Sequence, residues 1–536
     1  MSRPAPEDQP LSSASVAPYP VPPGSRRSAV HRVRVEHRPV FVERFASVGY
    51  ARFAVDGPVR VEVAVAGPIR GHAVFPAGRV TSTAIAGSVL LIELPAPRSV
   101  VVWIDDLEPL FLLPDAIEHD RPDPADDGVF DVTDFGADPA GRTLATAQLQ
   151  AAIDAATSRA GGGTVLIPAG CFVTGTLNIR SDVSLYLAPG ALLQGSADPA
   201  DYPLDPGRHE SAGDSTLAPD VRNLGRTMTF SRLLLVDQAT NVRIAGRGTI
   251  DGHGASLRSD SGIAPNLLRV RASSKVVVED VLFRNSAAWS LHLLASDRVT
   301  VRNVKVINDR TTLNTDGIDP DMSSDVTIDG AFIYTKDDAI CVKASGNGDL
   351  AGDPRRILAT NNLVSAVDAG LKVGSESSAA TFSDIRFEGN HVFDSGRAMS
   401  IVVRDGATYE HVAFRRIEVG PRVGHLVEQV IGVRDPAAAL GSIRDLAFED
   451  VRAADYRPPP SNWTWYAQFR PGRPRPGEAV NAFEGADPEH AVDGLRLAGV
   501  VVNGEHLHDL ATAARVAGLT IGPHVRRVTF DRETLD

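Results

Sequence analysis

Cysteine and lysine are scarce in this chain, and long apolar runs are missing. Two cysteines in 536 residues, Cys171 and Cys341, cannot build a disulfide framework, so packing has to hold the fold, and an intracellular origin is permitted. No apolar run approaches the roughly 20 residues that a bilayer-spanning helix needs. The pair Arg26-Arg27 lacks the following apolar stretch of roughly 7–15 residues that an export signal carries, so it reads as a solvated basic pair. These absences lead to the expectation of a cytoplasmic protein that does not engage a membrane. Basic residues are outnumbered, 54 Lys+Arg against 67 Asp+Glu for a net charge of −13, which argues against sequence-independent binding of nucleic acid. Lysine is the rarest of the charged residues. Only Lys275, Lys305, Lys336, Lys343 and Lys372 occur, and three of the five fall within 336–372.

What is present divides the chain. Residues 1–30, rich in Pro and Ser, read as a flexible tail. Residues 31–118 hold short β-branched runs between turn residues, and the alternation in VRVEV fits a half-buried antiparallel strand, so a small N-terminal β-sandwich is expected. A Pro- and Asp-dense linker, 119–130, leads to the remainder, 131–536. There, one amphipathic helix over 144–160, stopped by Gly161-Gly162-Gly163, precedes strands almost without interruption. The segments KVVVEDV, RVTVRNV, DVTIDGA, RILATNN, DIRFEGN and HVAFRRI align with one another and start at positions 275, 298, 325, 356, 384 and 411. One strand signature per period, each ending in a small or polar turn, predicts a parallel β-helix, an all-β solenoid whose open end the helix would cap.

The acids of that repeat carry the chemistry. Asp316 precedes the pair Asp337-Asp338 by about one coil, so the three should stack on adjacent coils roughly 4.8 Å apart. Carboxylates that close cannot all ionise near neutral pH, leaving one able to donate a proton beside others able to accept one, as glycosidic hydrolysis requires. A divalent-cation site and simple Asx-turns are the competing readings.

DVTDFGAD (131–138), GGGTVLIPAGCFVTGTL (161–177), GRGTIDGHG (246–254), NTDGIDPDMSSDVTIDG (314–330) and TKDDAICVKASG (335–346) together resemble glycoside hydrolase family 28, the polygalacturonase family, over most of 131–535. The resemblance implies a right-handed parallel β-helix, a carbohydrate substrate and inverting hydrolysis without cofactor or metal. Asp337 would be the general acid, and Asp316 with Asp338 would activate water. It also marks departures: Ala369 stands where the family has a histidine, and Ser400 where it has the arginine of an Arg-x-Lys element that holds a uronate carboxylate. Lys343, Lys372, Arg397 and Arg404 would then supply a locally positive cleft for an anionic sugar, with Asn314 as a further substrate contact and the loop residue Trp463 either stacking on a sugar ring or plugging against the solenoid. For Lys343 and Lys372 a salt bridge to a neighbouring acid is the alternative, and Lys336 is expected to face bulk solvent. Other classes stay open: a neutral α-glucan hydrolase, a calcium-assisted lyase with Lys343, Lys372 or Arg404 as base, and a binding solenoid without turnover. A homo-oligomer is equally open.

Overall fold

The computed structural model describes residues 15–203, 209–210, 228–346, 350–433, 439–457, 481–531 and 534–535. They fall into two compact units that divide between Arg121 and Pro122.

The first unit is a two-sheet sandwich. One sheet contains Val16–Pro18, Val42–Phe45, Val48–Val55, His72–Phe75, Val100–Ile104 and Leu110–Ala116; the other contains Arg32–Val35, Arg38–Val40, Val59–Ala64, Ser82–Ala86 and Val89–Leu94. Their inward residues, among them Val61, Val63 and Ile92 against Phe53, Val102 and Leu112, form one core. Val59–Ala64 alternates strictly between buried and half-buried, as VRVEV requires. Part of the segment expected to be tail is strand. Val16–Pro18 pairs antiparallel with Val55, Ala54 and Phe53, because Val16 adds an apolar side chain to that core despite its Pro-rich surroundings.

The second unit is a β-helix. Among the described residues, three sheets of 14, 13 and 10 strands run along it, and successive coils pair in parallel almost throughout. The six repeat segments are consecutive strands of the 14-stranded sheet. Val276 pairs with Val299, then Val326, Ile357, Ile385 and Val412, each the second residue of its segment, so the spacing of the segments in the sequence is the pairing register itself. The small or polar residue after each strand has a conformational cause. Asp280, Asn303, Gly330, Asn361, Gly389, Arg416 and Asp450 occupy the same corner of successive coils, all with φ between 50° and 71°, where Gly, Asn and Asp are least penalised. Pairing begins at Val129, inside the expected linker. The helix, Thr146–Ser158, buries Leu149, Ala152, Ile153 and Ala156 against the first coils. No helix of the described residues is long and apolar enough to cross a membrane.

Two ladders lock the interior. Phe387, Phe414 and Phe448 stack with centroids 4.9 and 5.2 Å apart and interplanar angles of 7° and 6°. Asn362, fully buried, accepts the Ala331 N–H at 2.8 Å and donates to the Asn390 Oδ1 at 2.9 Å and to the Ile328 carbonyl at 3.1 Å. Emptying the Phe414 slot with Phe414→Ala should destabilise the solenoid by about 3–5 kcal/mol. Asn362→Ala, which leaves buried backbone groups without partners, should cost about 2–4 kcal/mol. Denaturant titration of both variants checks this; a loss below about 1 kcal/mol in either would contradict the ladder account.

Candidate active site

The ten-stranded sheet carries the acids at one corner. Asp316 lies between the strands Lys305–Ile307 and Ile318–Asp321, and Asp337 and Asp338 lie between Phe332–Thr335 and Ile340–Ala344. Backbone rungs fix them: Ser290 N–H donates to the Asp316 carbonyl at 2.8 Å and Gly317 N–H to the Asp338 carbonyl at 2.9 Å. Position 317 has to be glycine, since a Cβ there would sit 2.3 Å from the Ala339 carbonyl oxygen. One carboxylate oxygen from each of Asp316, Asp337 and Asp338 lies within 4.8 Å of the other two. The three acids read from their one-coil spacing are thus brought together.

Two lysines enter the cluster as ion-pair partners. Lys343 Nζ is 2.6 Å from Asp316 Oδ2 and 3.2 Å from Asp319 Oδ1, and it sits 3.7 Å from the centroid of the Trp289 ring. Lys372 Nζ donates to Asp338 Oδ2 at 2.7 Å, while Ala369 N–H donates to the other oxygen at 3.2 Å. Asp337 differs. Among the described residues its carboxylate accepts only the Asp338 N–H, at 3.1 Å, and its side chain is partly exposed.

The electrostatics follow from this division. Burial, then the Asp338 charge, raises Asp337 above the ordinary carboxylate range against the pull of Lys372 and Lys343. Burial also lifts Asp316 well above that range, opposed first by Lys343. Asp319, fully buried, is pushed up to about 8 by burial despite Lys343. For Lys343, burial would favour release of its proton, but Asp316 and Asp319 outweigh it and hold the ammonium well above its usual value. A lysine so held is a poor base, which removes the reason to assign it proton abstraction in a lyase. The oxygen spacing alone would suit a divalent cation, but the two ammonium groups already bind this cluster and supply the compensating charge.

The other expected contacts separate. Asn314 faces the cluster indirectly, its Oδ1 accepting from Arg258 Nη2 at 2.9 Å. Arg397, 1% exposed, is not presented to a ligand: its guanidinium is held between Asp368 and Glu428. Arg404 follows the strand Arg397–Val403, roughly 20 Å along the strand direction from the corner that bears the acids. Its backbone N–H donates to Ser377 Oγ. Trp463 lies outside the described residues. Lys336 is half-buried and not in bulk solvent; burial lowers its pKa, with Arg310 adding to this and Asp337 opposing. Lone His292 is structural, fully buried with Nε2 2.9 Å from Asp321 Oδ2.

Arg258 and Glu428 escaped the sequence reading. Arg258, on the short helix Gly254–Ser261, donates to the carbonyls of Ala287 and Leu313; burial lowers its pKa to about 10 while Asp337 and Asp316 oppose. Nothing in the local sequence marks that helix. Glu428 had a signal: it lies in register with Ser400, and Ser400 with Lys372, at equal intervals along the chain, so extending the repeat by two coils from Lys372 reaches it.

Known proteins resemble this chain in sequence and in fold. Residues 223–420, which include all three aspartates, match the model for glycosyl hydrolases family 28, and residues 129–287 match one described as rhamnogalacturonase A/epimerase, pectate lyase-like. A probable polygalacturonase of Vitis vinifera is 28% identical over 274 residues, 48% of this chain and 53% of that protein, so the chain spans about half the length of this curated relative. The exopolygalacturonase of Thermotoga maritima superposes with a TM-score of 0.55 at 19% identity over 76% of this chain and 93% of its own. Dex49A from Penicillium minioluteum does so at 0.59 and 11% over 95% of each; at such identities the two structures establish the fold alone. With the aspartate motifs inside the matched region and the β-helix shared, the chain is similar to the polygalacturonases of glycosyl hydrolase family 28.

Proposed function

We propose that this protein hydrolyses glycosidic bonds of a pectic or related poly- or oligosaccharide by an inverting acid/base mechanism. The observation that carries the reading is the unequal partnering of the three aspartates. Asp316 and Asp338 each hold a lysine ammonium, whereas Asp337 has only a backbone N–H among the described residues. Asp337, its pKa raised and its side chain partly exposed, donates the proton to the leaving glycosidic oxygen. Asp316 and Asp338, oriented by their lysines, hold a water between them, and Asp338 takes its proton as it attacks the anomeric carbon.

The stereochemistry is the finer part of the proposal. The nearest carboxylate oxygens, within 4.8 Å, are closer than the roughly 6.5–9.5 Å between carboxyl groups in most inverting glycosidases. In favour of inversion stands the state of the two candidate nucleophiles. Each accepts a charge-assisted hydrogen bond from an ammonium, which occupies an oxygen lone pair and fixes the carboxylate in place as a partner for water.

Asp337→Asn should lower reducing-end release by about 10²–10⁴-fold with folding retained, and an unchanged rate on every pectic and neutral glycan tested would sink the hydrolase assignment. Proton NMR of the first anomer released reads the stereochemistry directly: product of opposite configuration to the cleaved bond is expected, and retained configuration would make one aspartate a covalent nucleophile. The lysines make a separate prediction. Lys372 lowers the pKa of Asp337, so Lys372→Met should raise it further, keep the acid protonated longer and move the alkaline limb of the pH–rate profile to higher pH. The same change should reduce kcat, as Asp338 loses its orienting partner. A limb that stays in place or moves to lower pH would contradict Asp337 as the acid.

A further inference from the structure

The sheet face beside the acids carries a second set of charges. Lys372, Ser400 and Glu428 occupy one register line across three successive strands of the ten-stranded sheet, so their side chains emerge on the same side. Lys372 is committed to Asp338. Ser400 Oγ donates to Glu428 Oε2 at 2.6 Å, which draws that carboxylate back toward the catalytic corner. Arg397, one rung from Ala369 at that corner, is bonded to both Asp368 and Glu428. Two carboxylates thus face one guanidinium, an excess of one negative charge (2 − 1 = 1). Burial works against ionisation of Glu428, but Arg397 and Lys372 hold it down to about 2, so the charge is present at any working pH.

With strands roughly 4.8 Å apart, Asp368 lies one coil from the Asp337–Asp338 corner and Glu428 three coils, so the acidic wall extends about two to three sugar rings from it. A uronate bound there would bring a further anion against Glu428 and Asp368, in a partly buried place where solvent screens poorly, while the two nearest cations are already paired. A neutral sugar escapes that penalty, and its hydroxyls can donate to the same carboxylates. We propose that Glu428 is a specificity-determining residue and that the subsite beside it takes an uncharged glycosyl unit and rejects a uronate. This rests on the glycan-hydrolase reading of the neighbouring aspartates, and it narrows the substrate to glycans with a neutral sugar about two to three units from the cleaved bond.

The test is calorimetric binding to the full chain carrying Asp337→Asn, using an α-1,4-linked galacturonate tetramer and the same tetramer with its carboxyls reduced to neutral galactose. The neutral tetramer should bind about tenfold or more tightly, with the gap shrinking as salt rises. Glu428→Gln should narrow the ratio at least about fivefold, while Glu428→Asp, which keeps the charge, should preserve most of it. Equal or tighter binding of the acidic tetramer, no response to Glu428→Gln, or binding of neither tetramer would overturn the subsite. Product release by the unsubstituted chain is read separately. Predicted binding without reducing-end release sinks the hydrolase reading and leaves the subsite, whereas faster cleavage of the acidic tetramer does the reverse.

Discussion

The backbone rung from Gly317 N–H to the Asp338 carbonyl is the constraint on which the site depends. Parallel pairing between coils is indifferent to side-chain charge. Once Ile318 pairs with Ile340, Asp316 and Asp338 are neighbours whether or not their charges repel. The scaffold can impose this because each coil buries a continuous apolar stack, from Val132 near the first coil to Phe530 near the last. Local electrostatic strain at one corner is small beside a core of that extent. The solenoid thus does for three carboxylates what they would never do in water.

Confinement then has to be made tolerable, and the chain does so with lysine. Lys343 bridges Asp316 and Asp319 and lies over Trp289; Lys372 serves Asp338. Breaking a buried pair from one side leaves an uncompensated charge, so these lysines are tied to the acids structurally as well as chemically. Selective compensation matters more than total compensation. A third lysine on Asp337 would make the corner more comfortable and, by favouring the charged form, pull that carboxyl back toward the ordinary range.

Much of this was legible in the sequence because a solenoid converts spacing into position. The strand starts from Lys275 to His411 carry the pairing register residue by residue, and the one-coil offset between Asp316 and the Asp337-Asp338 pair carries their stacking. What stayed hidden lay off the repeat or depended on side-chain partners. Arg258 arrives on a helix inserted into a coil, which no period announces. Arg397 looked like a substrate contact because a sequence shows a cation but not the two carboxylates, one a coil earlier and one a coil later, that neutralise it. The strand at Val16–Pro18 was masked by the prolines around it, although an antiparallel edge strand tolerates proline where its N–H would face outward.

The left-handed corner after each strand of the 14-stranded sheet has a further consequence. Coils of unequal length all return to it, at Asp280, Asn303, Gly330, Asn361, Gly389 and Arg416, with the same backbone sign. It works as a phase reset. A loop that gains or loses residues elsewhere in a coil shifts nothing downstream, because the chain is re-indexed at the next corner before the following strand begins. Length variation is thereby decoupled from register, and the loops of the solenoid can be rebuilt one coil at a time while the aspartate rung keeps its place.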